Sequence, residues 1–272
     1  MDESEKLLKI EPEFNEITEI VNEYFTIGNS RIFALKFNFN NFSIKDIPAR
    51  NIILNHIGRD LKEGSVIFEA SSGNFGIALA KFGKIYGFKV VILISRKVNQ
   101  NVINALEKNG ATVILLNTEI CPIPGKEDIA YESQAKESLK ILKNGLEKIV
   151  LDTKVIDINS KEIINLLKKQ NTIELAKYLA KIYNGFCPMQ YENELNPMAH
   201  YNYTARIIEE KIKENNVDLS KLKIICTFGT GGTSYGISKY FLDRYNKKIV
   251  TVAFPEEGQD VGGIRNLSNA HF

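Results

Sequence analysis

The sequence has no tryptophan and only three cysteines and three histidines in 272 residues, all widely spaced. Cys121, Cys187 and Cys226 are odd in number and lack CxxC spacing, which argues against a disulfide framework and a structural zinc site. His56, His200 and His271 form no HExxH pattern and no paired carboxylates accompany them, so a metal enzyme is not expected. No apolar run approaches the roughly 18 residues of a membrane span. The acidic start, Met1-Asp2-Glu3-Ser4-Glu5-Lys6, lacks the apolar core of a secretory signal, and the expected location is the cytoplasm. A large charge of one sign is missing too: 35 basic against 33 acidic side chains leave +2. That near-balance gives no pointer to nucleic acid or an anionic membrane as the main partner, and neither is expected.

What is there is an ordinary soluble composition, 44% apolar and 25% charged, in a chain long enough for two modest domains. Residues 1–30 read as a helical lead-in, with Leu8, Ile10, Phe14, Ile17 and Ile20 at helical spacing. Ile32 to Phe37 alternates as a strand, and residues 38–41 form a polar turn. Asp46 to Gly58 reads as a helix that tolerates Pro48 in its first turn. A regular alternation follows: strands at Ser65 to Glu69, Val90 to Ser95 and Thr112 to Leu116, with helices at Asn74 to Tyr86 and Val98 to Asn109. Strands and helices alternating at this spacing predict a parallel sheet with right-handed crossovers. Beyond a loop marked by Pro122, Pro124 and Gly125, helical periodicity returns at Leu139 to Ile149 and Ile163 to Ile182, around a strand expected at Lys154 to Ile158. Ala199 to Lys213 and Thr233 to Tyr245 read as helices, Lys223 to Phe228 and Ile249 to Phe254 as strands.

Three constellations carry chemistry. Ser43-Ile44-Lys45-Asp46 places a lysine at a helix N-terminus. With an ordinary pKa of about 10.4, only about one lysine amine in a few thousand is neutral and nucleophilic at pH 7, unless it is buried or stored as an imine. Two strand, glycine-rich turn and helix units follow: Ser71-Ser72-Gly73-Asn74-Phe75-Gly76 and Gly229-Thr230-Gly231-Gly232-Thr233. Such turns aim backbone amides and a helix N-terminus at an anion. Neither has the GxGxxG or GKS/GKT pattern, so nucleotide hydride transfer and phosphoryl transfer lose their usual signatures. Gly229 to Thr233 suits a phosphate without a nucleoside, and Ser71 to Gly76 suits a carboxylate. The third element runs from Gln190-Tyr191-Glu192-Asn193 through Asn196-Pro197-Met198-Ala199-His200-Tyr201.

In this order, the motifs resemble the fold-type II pyridoxal-phosphate enzymes of the cysteine synthase and cystathionine β-synthase branch. The resemblance extends from about Ile27 to about Gly263. It implies two open, twisted, mainly parallel α/β domains with helices on both faces and a cofactor site between them. Residues 41–187 would form the smaller domain, and residues 1–40 with 188–272 the larger. It also implies that Lys45 holds pyridoxal 5'-phosphate as an imine and shuttles the α-proton. Gly229, Thr230, Gly231, Gly232 and Thr233 would cradle the phosphate, and Asn74 would bond the ring hydroxyl oxygen. Ser71, Ser72, Gly73 and Gln190 would receive the substrate carboxylate, with Phe75 beside them. The implied partners are a small amino acid and sulfide or a thiol, in a homodimer.

Two departures stand out. Phe75 occupies the place where the branch has threonine, removing a hydroxyl and narrowing the pocket. The resemblance also implies a serine or threonine against the pyridine nitrogen in a turn past the last strand; Ser268 does not match it, and the sequence ends at Phe272. The expectation is a fragment, or a divergent or inactive relative. Three readings follow: β-replacement on an activated serine, a serine or threonine dehydratase, and a non-catalytic binding module.

Overall fold

A computed structural model describes residues 12–23, 28–37, 42–96, 98–117, 132–259, 261 and 263–265. The expected turn at residues 38–41 and the loop around Pro122 to Gly125 lie outside them. The chain divides into two compact units, residues 1–48 with 194–272, and residues 49–193.

In the first unit, β1 (Glu13–Glu16) pairs antiparallel with β2 (Phe33–Lys36), with Phe14 opposite Leu35. Phe14 stacks on Phe33 at 5.1 Å. This pairing turns part of the expected helical lead-in into a strand; only Thr18–Asn22 (α1) is helical among its described residues. A Glu16–Arg31 ion pair staples the ends, but both side chains are exposed and it contributes little. Helix α2 (Asp46–His56) begins at the third constellation residue after Ser43.

The second unit is built on a parallel sheet in the order β3 (Val66–Ala70), β4 (Lys89–Ser95), β5 (Thr112–Leu116), with Phe68 opposite Val91 and Leu93 opposite Ile114. Helices α3 (Asn74–Tyr86) and α4 (Gln100–Lys108) connect these strands. Asn99 sets the start of α4 by accepting the amide of Asn101 at 2.8 Å, two residues later than apolar spacing alone predicts. Phe68, Ala70, Val91, Leu93, Ile114 and Leu116 share one core with α5 (Glu132–Glu147), α7 (Ser160–Lys168) and α8 (Thr172–Ile182). Residues of opposite parity, Ile67, Val90, Ile92 and Ile94, are buried as well, which is why the strands are near-continuous apolar runs.

One expectation fails here, and one helical stretch is divided. Lys154–Ile158 is helix α6, not a strand: Asp152 accepts the Lys154 amide, and Asn159 closes the turn on the Val155 carbonyl. Only Ile156 is buried while Ile158 is 83% exposed, which is not strand alternation. Residues 163–182 are two helices, because Gln170 adopts a left-handed backbone (φ 51°) and Asn171 caps α8 on the Glu174 amide.

The first unit resumes with a helical run: α9 (Leu195–Ala199), a π-helical turn (His200–Thr204) and α10 (Ala205–Glu214). Strands β6 (Ile224–Thr227) and β7 (Val250–Ala253) pair in parallel across α11 (Gly232–Tyr245). Ala205, Ile212, Ile237, Tyr240, Phe241 and Ile249 form their shared core. Beside it, Glu209 is held down to about pKa 2: Tyr240, Tyr245 and Lys213 donate to it, and these bonds outweigh its desolvation. Among the described residues no helix is long and apolar enough to cross a membrane.

Helix α11 lies so close to α9 and the π turn that a methyl on Gly236 would overlap the Pro197 carbonyl oxygen and sit 2.9 Å from the Tyr201 nitrogen. Alanine at an ordinary helix position gains about 1 kcal/mol over glycine. At this position the overlap is with backbone that cannot swing away, so Gly236→Ala is expected to lose about 1 to 3 kcal/mol net, read as a lowered urea midpoint. An unchanged or raised midpoint would show that the two helices can part without cost.

Candidate active site

The first unit builds one group of residues around Lys45. Ser43 and Asp46 form a reciprocal cap: the Ser43 amide and hydroxyl donate to the Asp46 carboxylate at 2.8 and 3.1 Å, and the Lys45 amide donates to Ser43 Oγ at 3.2 Å. Serine and aspartate thus fix the backbone on both sides of the lysine. Its neighbours Ile44 and Ile47 pack with Phe37, Ala199 and Tyr203, tying the turn to α9 and the π helix. Lys45 Nζ reaches Thr230 Oγ1 at 3.5 Å. Burial, with a smaller contribution from the Arg265 charge, draws its pKa from 10.5 down to about 8.

Gly229 to Thr233 forms the turn between β6 and α11. Gly231 caps the helix with a left-handed φ of 81°, and the amides that follow head the helix. Thr230 Oγ1 accepts from Asn196 Nδ2 at 3.0 Å and from the Gly232 amide at 3.4 Å. Gly232 allows this approach, because a methyl there would collide with the Asn196 amide. Thr233 Oγ1 lies 3.2 Å from His200 Nε2, and His200 Nδ1 lies 2.9 Å from Thr204 Oγ1. His200 is 1% exposed; burial, with the Lys45 charge, pushes its pKa down to about 3. Asn196 and His200 stand four apart in the third motif, so one helical face serves both threonines. That spacing was the signal available in the sequence, and scanning histidines only for metal patterns overlooks it.

The second unit holds the other group. Ser71 is buried and accepts the Gly76 amide at 3.0 Å, shaping the turn from β3 into α3. Ser72 and Asn74 are exposed and Gly73 is half-buried, while Phe75 is 2% exposed. Gln190 is buried, and its side chain and backbone amide, together with the Met189 amide, donate to Glu69 at the end of β3. Glu69 carries no sequence signal beyond its place ahead of the serines. Burial raises its pKa to about 8 against the pull of those amides, and among the described residues its Oε2 has no partner. Met189 pays for reaching it with a left-handed φ of 52°. Burial raises the thiol pKa values of Cys187 and Cys226, which keeps both as unreactive thiols.

Residues 28–266 match the family described as pyridoxal-phosphate dependent enzyme. The chain belongs to this family. Its fold is the α/β arrangement of fold type II, with parallel sheets and helices, and family members depend on pyridoxal phosphate. Cystathionine beta-synthase of Dictyostelium discoideum is 29% identical over 84% of this chain and 36% of its own length. The probable cysteine synthase of Bacillus subtilis is 29% identical over 78% of this chain and 53% of its own. Among solved structures, a hydrogen sulfide-producing enzyme from Fusobacterium nucleatum aligns with a TM-score of 0.54 and 25% identity, covering 79% of this chain and 51% of that one. The chain therefore spans about a third to a half of the length of these relatives.

The residues of the first unit fit the family's cofactor. A side chain on Gly229 would strike the Gly263 carbonyl oxygen at 2.8 Å and stand 3.9 Å from Lys45 Nζ, so only backbone lines that edge of the turn beside the amine. Two hydroxyls and a helix N-terminus supply donors for a phosphate, and the lowered pKa suits an amine that must react with an aldehyde.

Glu69 makes a pH signature. The unfolded carboxyl ionises near 4.5 whereas the folded one keeps its proton to about 8. The folded state therefore binds the extra proton, and stability falls as pH rises across that window. Glu69→Gln is expected to flatten the slope and to be the more stable protein at pH 8 by roughly 1 to 3 kcal/mol. Urea unfolding at pH 5 and pH 8 measures this; equal slopes for both proteins would remove Glu69 as the cause.

Proposed function

We propose that the chain carries out β-replacement on an activated serine (O-acetylserine, O-phosphoserine or serine) with sulfide or a thiol as the incoming group. The observation that carries this reading is the Lys45 amine, brought to a pKa of about 8 beside the turn of Gly229 to Thr233. At that value about one amine in ten is neutral at pH 7, instead of one in a few thousand. The names borne by the relatives, cystathionine beta-synthase and cysteine synthase, support the same reaction class.

When bound, pyridoxal phosphate supplies an aldehyde for the amine and a ring that withdraws electrons from the substrate's α-carbon. Lys45 would hold the cofactor through Nζ, and its free amine would take the substrate's α-proton; positioned proton transfer of this kind is worth about 10² to 10⁴ in rate. Backbone amides of Gly229, Gly231 and Gly232 and the hydroxyls of Thr230 and Thr233 would receive the phosphate. Asn74, exposed at the start of α3, would offer its side-chain amide to the cofactor's ring oxygen. Ser71, Ser72, Gly73 and Gln190 bind the substrate carboxylate, with Phe75 where the branch has threonine. The reading includes a homodimer in the cytoplasm.

Added pyridoxal phosphate is expected to give the purified chain the visible absorption of a lysine-bound aldehyde, and Lys45→Ala to lose it together with all turnover. With O-acetylserine and sulfide the product should be cysteine. Keto acid as the sole product would replace this reading with a dehydratase, and absence of the absorption would replace it with a non-catalytic module.

A further inference from the structure

The pair of threonines in the glycine-rich turn differ in how their hydroxyls are governed. Thr230 Oγ1 is surrounded by groups that only donate: the Asn196 amide nitrogen, the Gly232 amide and, farther off, the Lys45 ammonium. Its lone pairs are engaged, so its own proton is free to point at an anion. Thr233 Oγ1 faces a ring nitrogen of His200 instead, and an imidazole nitrogen either donates or accepts.

A neutral imidazole has one N–H to share between Thr204 and Thr233. If Nδ1 carries it, Nδ1 donates to Thr204 and Nε2 accepts the Thr233 proton. Thr233 then presents only lone pairs, which repel an anion at the helix N-terminus. If Nε2 carries it, Nε2–H donates to Thr233 Oγ1 and the Thr204 hydroxyl donates to Nδ1. Thr233 is then free to donate outward, as Thr230 does. Doubly protonated imidazole is disfavoured by burial and by Lys45.

We propose that His200 is a positioning residue: held at Nδ1 by Thr204 and carrying its proton on Nε2, it turns the Thr233 hydroxyl into a phosphate donor. This rests on the reading of Gly229 to Thr233 as the phosphate turn. The π-helical turn supplies the pairing, because it starts at His200 and ends at Thr204 and sets the two side chains 2.9 Å apart, so that Nδ1 has a hydroxyl partner and Nε2 is left to face Thr233. A hydrogen bond to an anion is among the stronger kind, so losing the correct hydroxyl orientation is expected to weaken phosphate binding on the order of 10-fold to 100-fold.

Glutamine places an amide near the Nε2 position and asparagine near Nδ1, so the two variants separate the roles. In the full 272-residue chain, His200→Gln is expected to bind pyridoxal phosphate and inorganic phosphate within about threefold of the parent, and His200→Asn to lose the larger factor, by calorimetric titration. Long-range proton–nitrogen correlation on the unmutated, phosphate-loaded protein should show Nε2 protonated and Nδ1 not, which tests the idea even where a variant misfolds. An Nδ1–H tautomer, or equal losses in the two variants, overturns the proposal. Thr233→Val separates the premises: if it leaves phosphate affinity unchanged, the phosphate-turn reading falls and the proposal with it. If it weakens binding while His200→Asn does not, only the role of His200 falls.

Discussion

The first unit depends on how closely helix α11 approaches the run from Leu195 to Thr204. Gly232 and Gly236 face that run, and at both positions a single methyl would overlap its atoms. The approach sets Asn196 against Thr230 and His200 against Thr233. It also ties the turn of Gly229 to Thr233 to the element on which Ile44 and Ile47 pack, and so to the lysine between them. Close packing of this kind transmits position: a side chain at either glycine would disturb hydroxyls, amides and amine together.

Around this packing stand three groups kept away from their ordinary ionisation. Lys45 and His200 in the first unit and Glu69 in the second are all biased toward the neutral form, with burial the largest cause each time. Desolvation costs stability, and such costs persist where the neutral group has a task. Contrast Glu209, of the same chemical type as Glu69. It too is buried, but the Lys213 ammonium is among its donors and the Arg244 guanidinium stands beside it, and they hold it ionised as a structural tie between α10 and α11. Heavier desolvation keeps Glu69 neutral in spite of its uncharged amide donors, while the cations beside Glu209 and its position nearer solvent keep that carboxyl ionised.

Parallel strands and their helices were legible because β3, β4 and β5 are continuous apolar runs between turn residues, a pattern local sequence carries well. Where reading failed, a competing local interaction decided. Asp152 and Asn159 coil the β-branched run Lys154–Ile158 into a helix, and Asn171 splits the apolar stripe of residues 163–182. Phe14 counts toward a helical spacing in residues 1–30, yet its stacking on Phe33 belongs to a strand pair. Of the chemistry-bearing residues, Lys45 and the two glycine-rich turns announce themselves by type and order. His200 and Glu69 do not, since their importance lies in what they touch.

The sequence by itself determined the family, the alternation of strands and helices, and the order of the residues that carry the likeness: one lysine at a helix start, two glycine-rich turns and a polar motif between them. These are properties of order and spacing along the chain. Only the tertiary structure decided that Ser43 and Asp46 cap the lysine turn, that Thr230 and Thr233 are governed by Asn196 and His200, and that Glu69 holds Gln190 with a carboxyl kept neutral. Each of these depends on distances between segments far apart in sequence and on the exclusion of water around them, and burial is set by packing, which no local pattern encodes.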